Sequence, residues 1–306
     1  MKIPVLFLIY NRPQLTRFVF DAIRKARPEK LFIAADGPNE VKADDYRKCN
    51  DARDVINQVD WDCEISTLIS NDHLGCKLGP SHAINWFFDN VEEGIILEDD
   101  CFCQQTFFRF CEELLEFYRQ DKRIMSISGC NHQFGRLRIK YSYYFSRYRH
   151  TWGWATWRRA WQFFDVNMSL WPEMKNRKWL SEILKDAKAE KYWINVFDQV
   201  YQNKIDGWDA QWTFACWLQN SLAILPNVNL VSNIGFTEDA THTKDSSSRF
   251  ANVKIQPMVF PLSHPPSVIQ NYKADKYTEL IRYSGTFSLR NRLLVGLNRF
   301  IRKWYN

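Results

Sequence analysis

Three consecutive carboxylates, Glu98, Asp99 and Asp100, end the apolar run Gly94-Ile-Ile-Leu97, and the chain turns apolar again at Cys101-Phe102. Apolar residues on both sides describe a buried strand whose end opens into a cleft. Acids crowded in this way repel one another until a cation or a polar ligand relieves the charge. Mg2+ and Mn2+ are hard ions that take oxygen ligands, commonly one or two carboxylates together with substrate phosphates. The triplet reads as a metal-assisted site or as an acidic strand-to-loop turn in solvent, and its apolar flanks favour the site.

Alternating elements must position such a group. Residues 3–9 read as a first strand, and an amphipathic stretch over Pro13–Ala26 reads as a helix with proline in its first turn. A second strand over 31–35 ends in the turn signal Asp36-Gly37-Pro38. A helix over 42–59, a strand over 63–69, a helix opened by Gly79-Pro80 and running to 90, and a strand over 94–97 follow. This rhythm predicts a mixed, mainly parallel α/β sheet flanked by helices. Ligands of such sheets bind beyond the carboxyl ends of the strands. Asn11 and Arg12, Asp36, and the acids at 98–100 each follow a strand and therefore converge on one rim.

The rest of the chain reads as a helix over 105–118, a strand over Ile124–Ser128, an aromatic middle (141–145 and 151–157), a polar helical stretch over 176–204, a Trp-rich helix over 208–218, and short strands at 223–225 and 228–231. No internal repeat is present. Regular patterning fades after Asp245-Ser-Ser-Ser248, which divides the chain into a domain over 1–245 and an extension over 246–306. In the extension, Leu293, Leu297, Phe300, Ile301 and Trp304 fall on one helical face, flanked by Arg290, Arg292, Arg299, Arg302 and Lys303. A basic amphipathic helix of this kind either lies on an anionic membrane surface or docks on its own domain.

At 306 residues the chain can bury a substantial core. Aromatic residues make up 16%, with 13 Trp, which suits either sugar-stacking surfaces or an aromatic core. A net charge of +6 favours phosphate-bearing ligands or anionic surfaces, and no nucleic-acid partner is expected. The opening apolar run is too short to span a bilayer and lacks a small-residue cleavage site, so it reads as a strand. The 8 cysteines contain no CxxC pair and read as reduced thiols of a cytoplasmic protein.

Taken in order, IPVLFLIYNRPQLTR, IAADGP and GIILEDDCFCQQTFFRF resemble blocks of nucleotide-sugar-dependent glycosyltransferases of the GT-A fold. The likeness is to the N-acetylglucosaminyltransferase I type, which carries EDD where many relatives carry DxD, and it extends over residues 3–242. YFSRYRHTWGWATWRRAW and GWDAQW match more loosely. The resemblance implies that Arg12 contacts the donor nucleotide, Asp36 its base (uracil by expectation), and Asp99 the ribose. Asp100 would ligate Mn2+ or Mg2+, and Glu98 would orient the donor. His73, in Asn71-Asp72-His73-Leu74-Gly75, falls where the family places another nucleotide-facing side chain, or is a solvated loop histidine. His242 would lie near the donor diphosphate, or cap its own loop. Trp152, Gly153 and Trp154 would form the acceptor or donor-sugar wall, or an aromatic core turn.

Glycosyl transfer breaks the bond between the anomeric carbon and the diphosphate, so a divalent cation and Arg12 would stabilise charge on the leaving group. An inverting enzyme also needs a carboxylate to take the acceptor proton. Asp209 in Gly207-Trp-Asp-Ala-Gln-Trp212 resembles the family's base; Trp208 and Trp212, four apart, stack on one helix face and leave Asp209 turned away. A helix cap is the competing explanation of Asp209, and Asp165 is the alternative base. The implied function is an inverting, metal-dependent transferase using a UDP-sugar and a glycan or lipid-linked acceptor, peripheral at the inner membrane face. The alternatives are an inactive nucleotide- or carbohydrate-binding module of the same fold, a retaining transferase, and a sugar-phosphate nucleotidyltransferase. The last needs a glycine-rich loop after the first strand, where this chain has Tyr10-Asn-Arg-Pro-Gln-Leu15.

Overall fold

Strand β1 (Val5–Ile9) is buried at every position and lies between β2 (Lys30–Ala35) and β4 (Glu93–Glu98), parallel to both. The computed structural model describes residues 1–136, 139–236 and 245–283. Its other strands are β3 (Glu64–Ile69), β5 (Cys101–Cys103), β6 (Ile124–Ser128), β7 (Tyr143–Ser146), β8 (Trp154–Trp157), β9 (Leu222–Pro226) and β10 (Val231–Asn233). Eight strands form one sheet in the order β3-β2-β1-β4-β8-β6-β9-β7, and β10 pairs with β5 in a small second sheet. Pairing is parallel from β3 to β4 and again between β6 and β9, while β8 runs antiparallel to both β4 and β6. The expected class, a mixed and mainly parallel α/β sheet flanked by helices, is the one observed.

Strand alternation sorts the core onto the two faces. Val5, Phe7 and Ile9 point to one face, where α1 (Pro13–Ala26) and α4 (Thr106–Phe117) cover them with Val19, Phe20, Phe107 and Leu114. Leu6 and Leu8 point to the other, under α3 (Gly75–Asn90) and a later helix that supplies Trp212 and Cys216. Between these come α2 (Asp45–Arg53), continued by a 3-10 turn over Asp54–Gln58, so the single helix expected over 42–59 is shorter and ends tighter.

Helix α3 begins at Gly75, four residues before the expected Gly79-Pro80 start, and carries Pro80 inside it. The earlier start has a tertiary cause. The Asp36 carboxylate accepts the Leu74 N–H at 2.8 Å and the Gly75 N–H at 3.1 Å, and Asp206 accepts the Lys77 N–H at 3.0 Å. Carboxylates brought from elsewhere satisfy the first-turn donors and offset the helix dipole.

After β8 come the short helices α5 (Arg158–Trp161), α6 (Trp171–Met174) and α7 (Trp179–Leu184), then α8 (Ala187–Tyr201) and α9 (Asp209–Leu218). The polar stretch over 176–204 thus divides into two helices, with Asp186 capping α8 by accepting from Lys188 N–H and Ala189 N–H. Trp171, Trp193, Phe197 and Trp217 give this part its own cluster. Aromatic richness goes chiefly into packing: Trp154, Trp161, Trp208 and Trp212 are all buried together.

The described part of the extension packs on the main domain. Met258 donates its N–H to Thr106 Oγ1 at 2.9 Å, Gln256 its N–H to the Asn229 carbonyl at 2.8 Å, and Met258 and Leu262 enter the core. Helix α10 (Tyr272–Thr278) follows, then a π-type turn over Glu279–Tyr283. The amphipathic helix expected over 289–304 lies outside the described residues. Among the described residues no helix is long and apolar enough to cross a membrane. None of the cysteines forms a disulfide.

Asp275 anchors α10 by accepting the Ser146 hydroxyl at 2.5 Å, the Arg147 N–H at 2.8 Å and the Gln270 amide at 2.8 Å. Burial outweighs these bonds and pushes its proton affinity up to about 6. A carboxyl whose folded value is raised holds its proton after the unfolded chain has released it. Its favourable contribution is full below the unfolded value near ~3.9 and is lost as pH rises to about 6. The melting temperature of Asp275→Asn, measured relative to wild type, should therefore rise between pH 4 and pH 7; a difference independent of pH would contradict the assignment.

Candidate functional site

Every parallel strand from β1 to β4 delivers polar groups at its carboxyl end. Tyr10, Asn11 and Arg12 follow β1, Asp36 follows β2, Ser70 follows β3, and Glu98, Asp99 and Asp100 close β4. These residues line one cavity of about 490 Å3, a size suited to a small-molecule ligand. Its wall continues through His73, the first turns of α3, Trp152, Asp206 and Asn233.

At one end lies a buried charge cluster. Asp99 and Asp100 are 2% and 6% exposed. The Arg12 guanidinium donates to Asp99 Oδ1 and, at 3.1 Å, to Asp100 Oδ2. Burial would weaken the Arg12 charge, but Asp99 and Asp100 overcome it and hold the guanidinium protonated. Burial raises Asp99, partly countered by Arg12, and raises Glu98 well above its ordinary range with help from the charges of Asp100 and Asp99. One arginine therefore faces three acids, which leaves the cluster short of positive charge.

The strand pair β10–β5 closes this end. Ile234 N–H donates to the Asp100 carbonyl at 2.9 Å, and a Cβ on Gly235 would lie 2.4 Å from Asp100 Oδ2 and 2.7 Å from Arg12 Nη1. Only a glycine lets the backbone pass here. Among the described residues no group of three or more His, Cys, Asp or Glu is arranged to hold a metal. A metal here would take its oxygen donors from Asp100 or its neighbouring acids, the hard donor chemistry that Mg2+ or Mn2+ completes with a phosphate ligand and water.

The Asp36–His73 part of the wall is built by hydrogen bonds to carboxylates. Asp36 accepts from the N–H groups of Gly37, Leu74 and Gly75, and His73 Nδ1 lies 3.0 Å from its Oδ2. The His73 ring stacks on Tyr10, with centroids 4.9 Å apart and planes 22° apart. Tyr10 is held in turn by its hydroxyl, which donates to Asp45 Oδ2 at 2.6 Å, and Asn11 donates to the other oxygen of Asp45. The N-terminus of α3 already faces Asp36 and Asp206, so its dipole is met by carboxylates rather than left for an anion.

Arg12, Asp36, His73, Glu98, Asp99, Asp100 and Trp152 all line this cavity. The expected wall of Trp152, Gly153 and Trp154 needs correction. Gly153 adopts φ +62 and its missing Cβ faces Val231 and Leu97; Trp154 is wholly buried against Trp208 and Trp212. That left-handed residue breaks strand alternation, so only Trp152 of the three reaches the cavity. His242 lies outside the described residues.

Asp209 is exposed at the start of α9 and is not among the described lining residues; its charge acts on Tyr192 and Tyr283. Asp165 holds a turn instead, accepting the Asn167 N–H at 2.9 Å and the Ser169 N–H at 2.7 Å. Tyr10, Asp45, Asp206 and Gly235 were not singled out by sequence reasoning. Asp206 sits one residue before the GWDAQW signal, and its contact with Lys77 spans 129 positions.

No protein-family model matches the chain, and no curated protein does. Solved structures with some likeness include a UDP-glucose pyrophosphorylase complexed with UDP-glucose, at 16% identity over 48% of this chain and 63% of that one, with a TM-score of 0.29. HddC from Yersinia pseudotuberculosis matches at 12% identity, over 51% of this chain and 77% of that one, TM-score 0.29. Mouse xyloside xylosyltransferase 1 matches at 12% identity, over 70% and 81%, TM-score 0.33. The chain spans less than two thirds of that pyrophosphorylase's length. TM-scores this low give these likenesses no weight in assigning an activity.

Gly235→Ala drives a methyl group into the Asp100–Arg12 contact and should destabilise the fold by about 1–3 kcal/mol. Chemical denaturation measures this directly, and an unchanged midpoint would mean that residue 235 does not close on the acids.

Proposed function

We propose that the chain is an inverting, metal-dependent glycosyltransferase of the GT-A type, similar to the N-acetylglucosaminyltransferase I group. It would move a sugar from a nucleotide donor, UDP-linked by preference, to a glycan or lipid-linked acceptor. The observation that carries this reading is that the Arg12–Asp99–Asp100 cluster and the Asp36–His73 loop line one cavity. A nucleoside diphosphate has matching parts: a base at one end and a doubly charged group at the other.

Each side chain then has a task. Asp100 would hold Mn2+ or Mg2+, which when bound offsets the charge that builds on the departing diphosphate. Arg12 serves the same end from the protein side. Asp99 faces the ribose, and Glu98 orients the donor sugar. With its oxygens already occupied by backbone N–H groups, Asp36 acts on the base chiefly through the loop it orders. His73 presents a polar edge there, and Asp206 adds a carboxylate to the same wall. The β1–α1 connection consists only of Tyr10, Asn11 and Arg12, without the glycine-rich loop that triphosphate chemistry would require. Trp152 supplies an apolar surface for a sugar ring, and His242 stays assigned to the neighbourhood of the diphosphate.

Asp209 is the proposed base. Its exposed carboxylate is open to an acceptor, whereas both Asp165 oxygens are engaged in a turn. Its place outside the described lining also favours the second reading, a module that binds the nucleotide without turnover. In the transferase, Asp209→Asn should lower kcat by about 10²-fold or more while leaving UDP binding within about twofold. An unchanged rate would remove Asp209 as the base.

Calorimetry with UDP tests the donor site. Binding should depend on Mn2+, and Asp100→Ala should weaken it by about tenfold or more, on the order of 1.4 kcal/mol. Absence of UDP binding with and without metal would contradict a UDP donor and turn attention to GDP- and nucleoside-monophosphate sugars.

A further inference from the structure

Behind Trp152 lies a second cluster that the donor site does not use. His132 and His150 are 1% and 2% exposed, with ring centroids 4.1 Å apart. Both ring nitrogens of His150 are buried without a hydrogen-bond partner. Arg282 Nη1 lies 3.5 Å from His132 Nδ1, and its guanidinium covers the Trp152 ring at 4.7 Å, yet its buried Nε has no partner. Arg149, 5% exposed, gives Nη1 to the Thr213 carbonyl at 3.0 Å and Nη2 to the Arg147 carbonyl at 3.4 Å, and leaves only its Nε unpaired. Arg149 and Arg282 both act electrostatically on His150, so these groups share one locality.

His132, His150 and Arg149 are thus buried beside the half-buried Arg282, and among the described residues neither Arg149 nor Arg282 has an ion-pair partner. The nearby Asp275 is committed to Ser146, Arg147 N–H and Gln270. Guanidinium groups shielded from water are ordinarily paired, and several donors in one place without a partner among the described residues invite one. The missing element is negative and accepts hydrogen bonds. Neutral groups would not balance two arginines, and a further cation would be repelled.

We propose that His132, His150, Arg149 and Arg282 form an anion-binding subsite on the far side of Trp152, taking an oxyanion, phosphate or carboxylate, carried by the acceptor. The acceptor role rests on the glycosyltransferase reading; the anion chemistry does not. Trp152 separates this subsite from the donor cavity, whose wall it shares. The Asp209 charge acts on Tyr283, the neighbour of Arg282 in the chain.

The test uses the full chain, first titrated with UDP and Mn2+ to establish the donor site. Glucose 1-phosphate, glucuronate and methyl glucoside are then titrated into the saturated protein, or into the protein alone if UDP does not bind. One or both anionic sugars should bind and methyl glucoside should not, with the stronger of the two identifying phosphate or carboxylate as the group read. Arg282→Gln and His150→Ala should each weaken that binding by tenfold or more, with UDP affinity within twofold and melting curves retained. Arg282→Gln keeps the result interpretable if His150→Ala fails to fold. No anion binding in wild type, or binding unchanged in folded Arg282→Gln, would overturn the subsite. Loss of UDP binding alone would instead overturn the donor reading and leave the subsite standing.

Discussion

The contact between the Arg12 guanidinium and the paired carboxylates of Asp99 and Asp100 is the constraint on which the site depends. Two acids cannot be buried at the end of a hydrophobic strand without a cation, and the first turn of α1 brings that cation from β1 next door. Leaving either partner of such a pair alone in the interior costs about 3–5 kcal/mol. The adjacent strands β1 and β4 are therefore coupled through chemistry as well as through their backbone ladder. Glu98, raised by burial and by its acidic neighbours, shows that one arginine does not exhaust the negative potential. That residual potential is what the proposed divalent ion would offset.

The remainder of the cavity is arranged around this charge. Asp36 and Asp206 hold the N-terminus of α3 and neutralise it, so Arg12, not that helix end, is the cation placed beside the acids. The Tyr10–His73 stack and the loop fixed by Asp36 form another part of the cavity wall. Gly235 then sets how closely the β10 side closes on the acids.

Much of this was legible in the chain because parallel α/β order places strand ends on one rim. Helix α1 has the bounds read from its pattern, and Arg12, Asp36 and the three acids meet as their positions after strands require. Other features depend on contacts that no local pattern records. The start of α3 is set by carboxylates 38 and 129 positions away in sequence. Trp152 and Trp154 look equivalent in the sequence, yet the φ of +62 at Gly153 sends one to the cavity and the other to the core. Burial of Trp208 and Trp212 follows from the same aromatic packing, which spends rings on the interior that composition alone could have placed on a sugar surface.

Anomalous diffraction from a crystal soaked with UDP and Mn2+ would test the central claim most directly. The account predicts one strong manganese peak within coordination distance of the Asp100 carboxylate, about 2.0–2.2 Å, with the UDP phosphates on the same ion and uracil toward His73. Manganese bound elsewhere, or UDP seated with Arg12 still closed on both acids and no metal beside them, would contradict it.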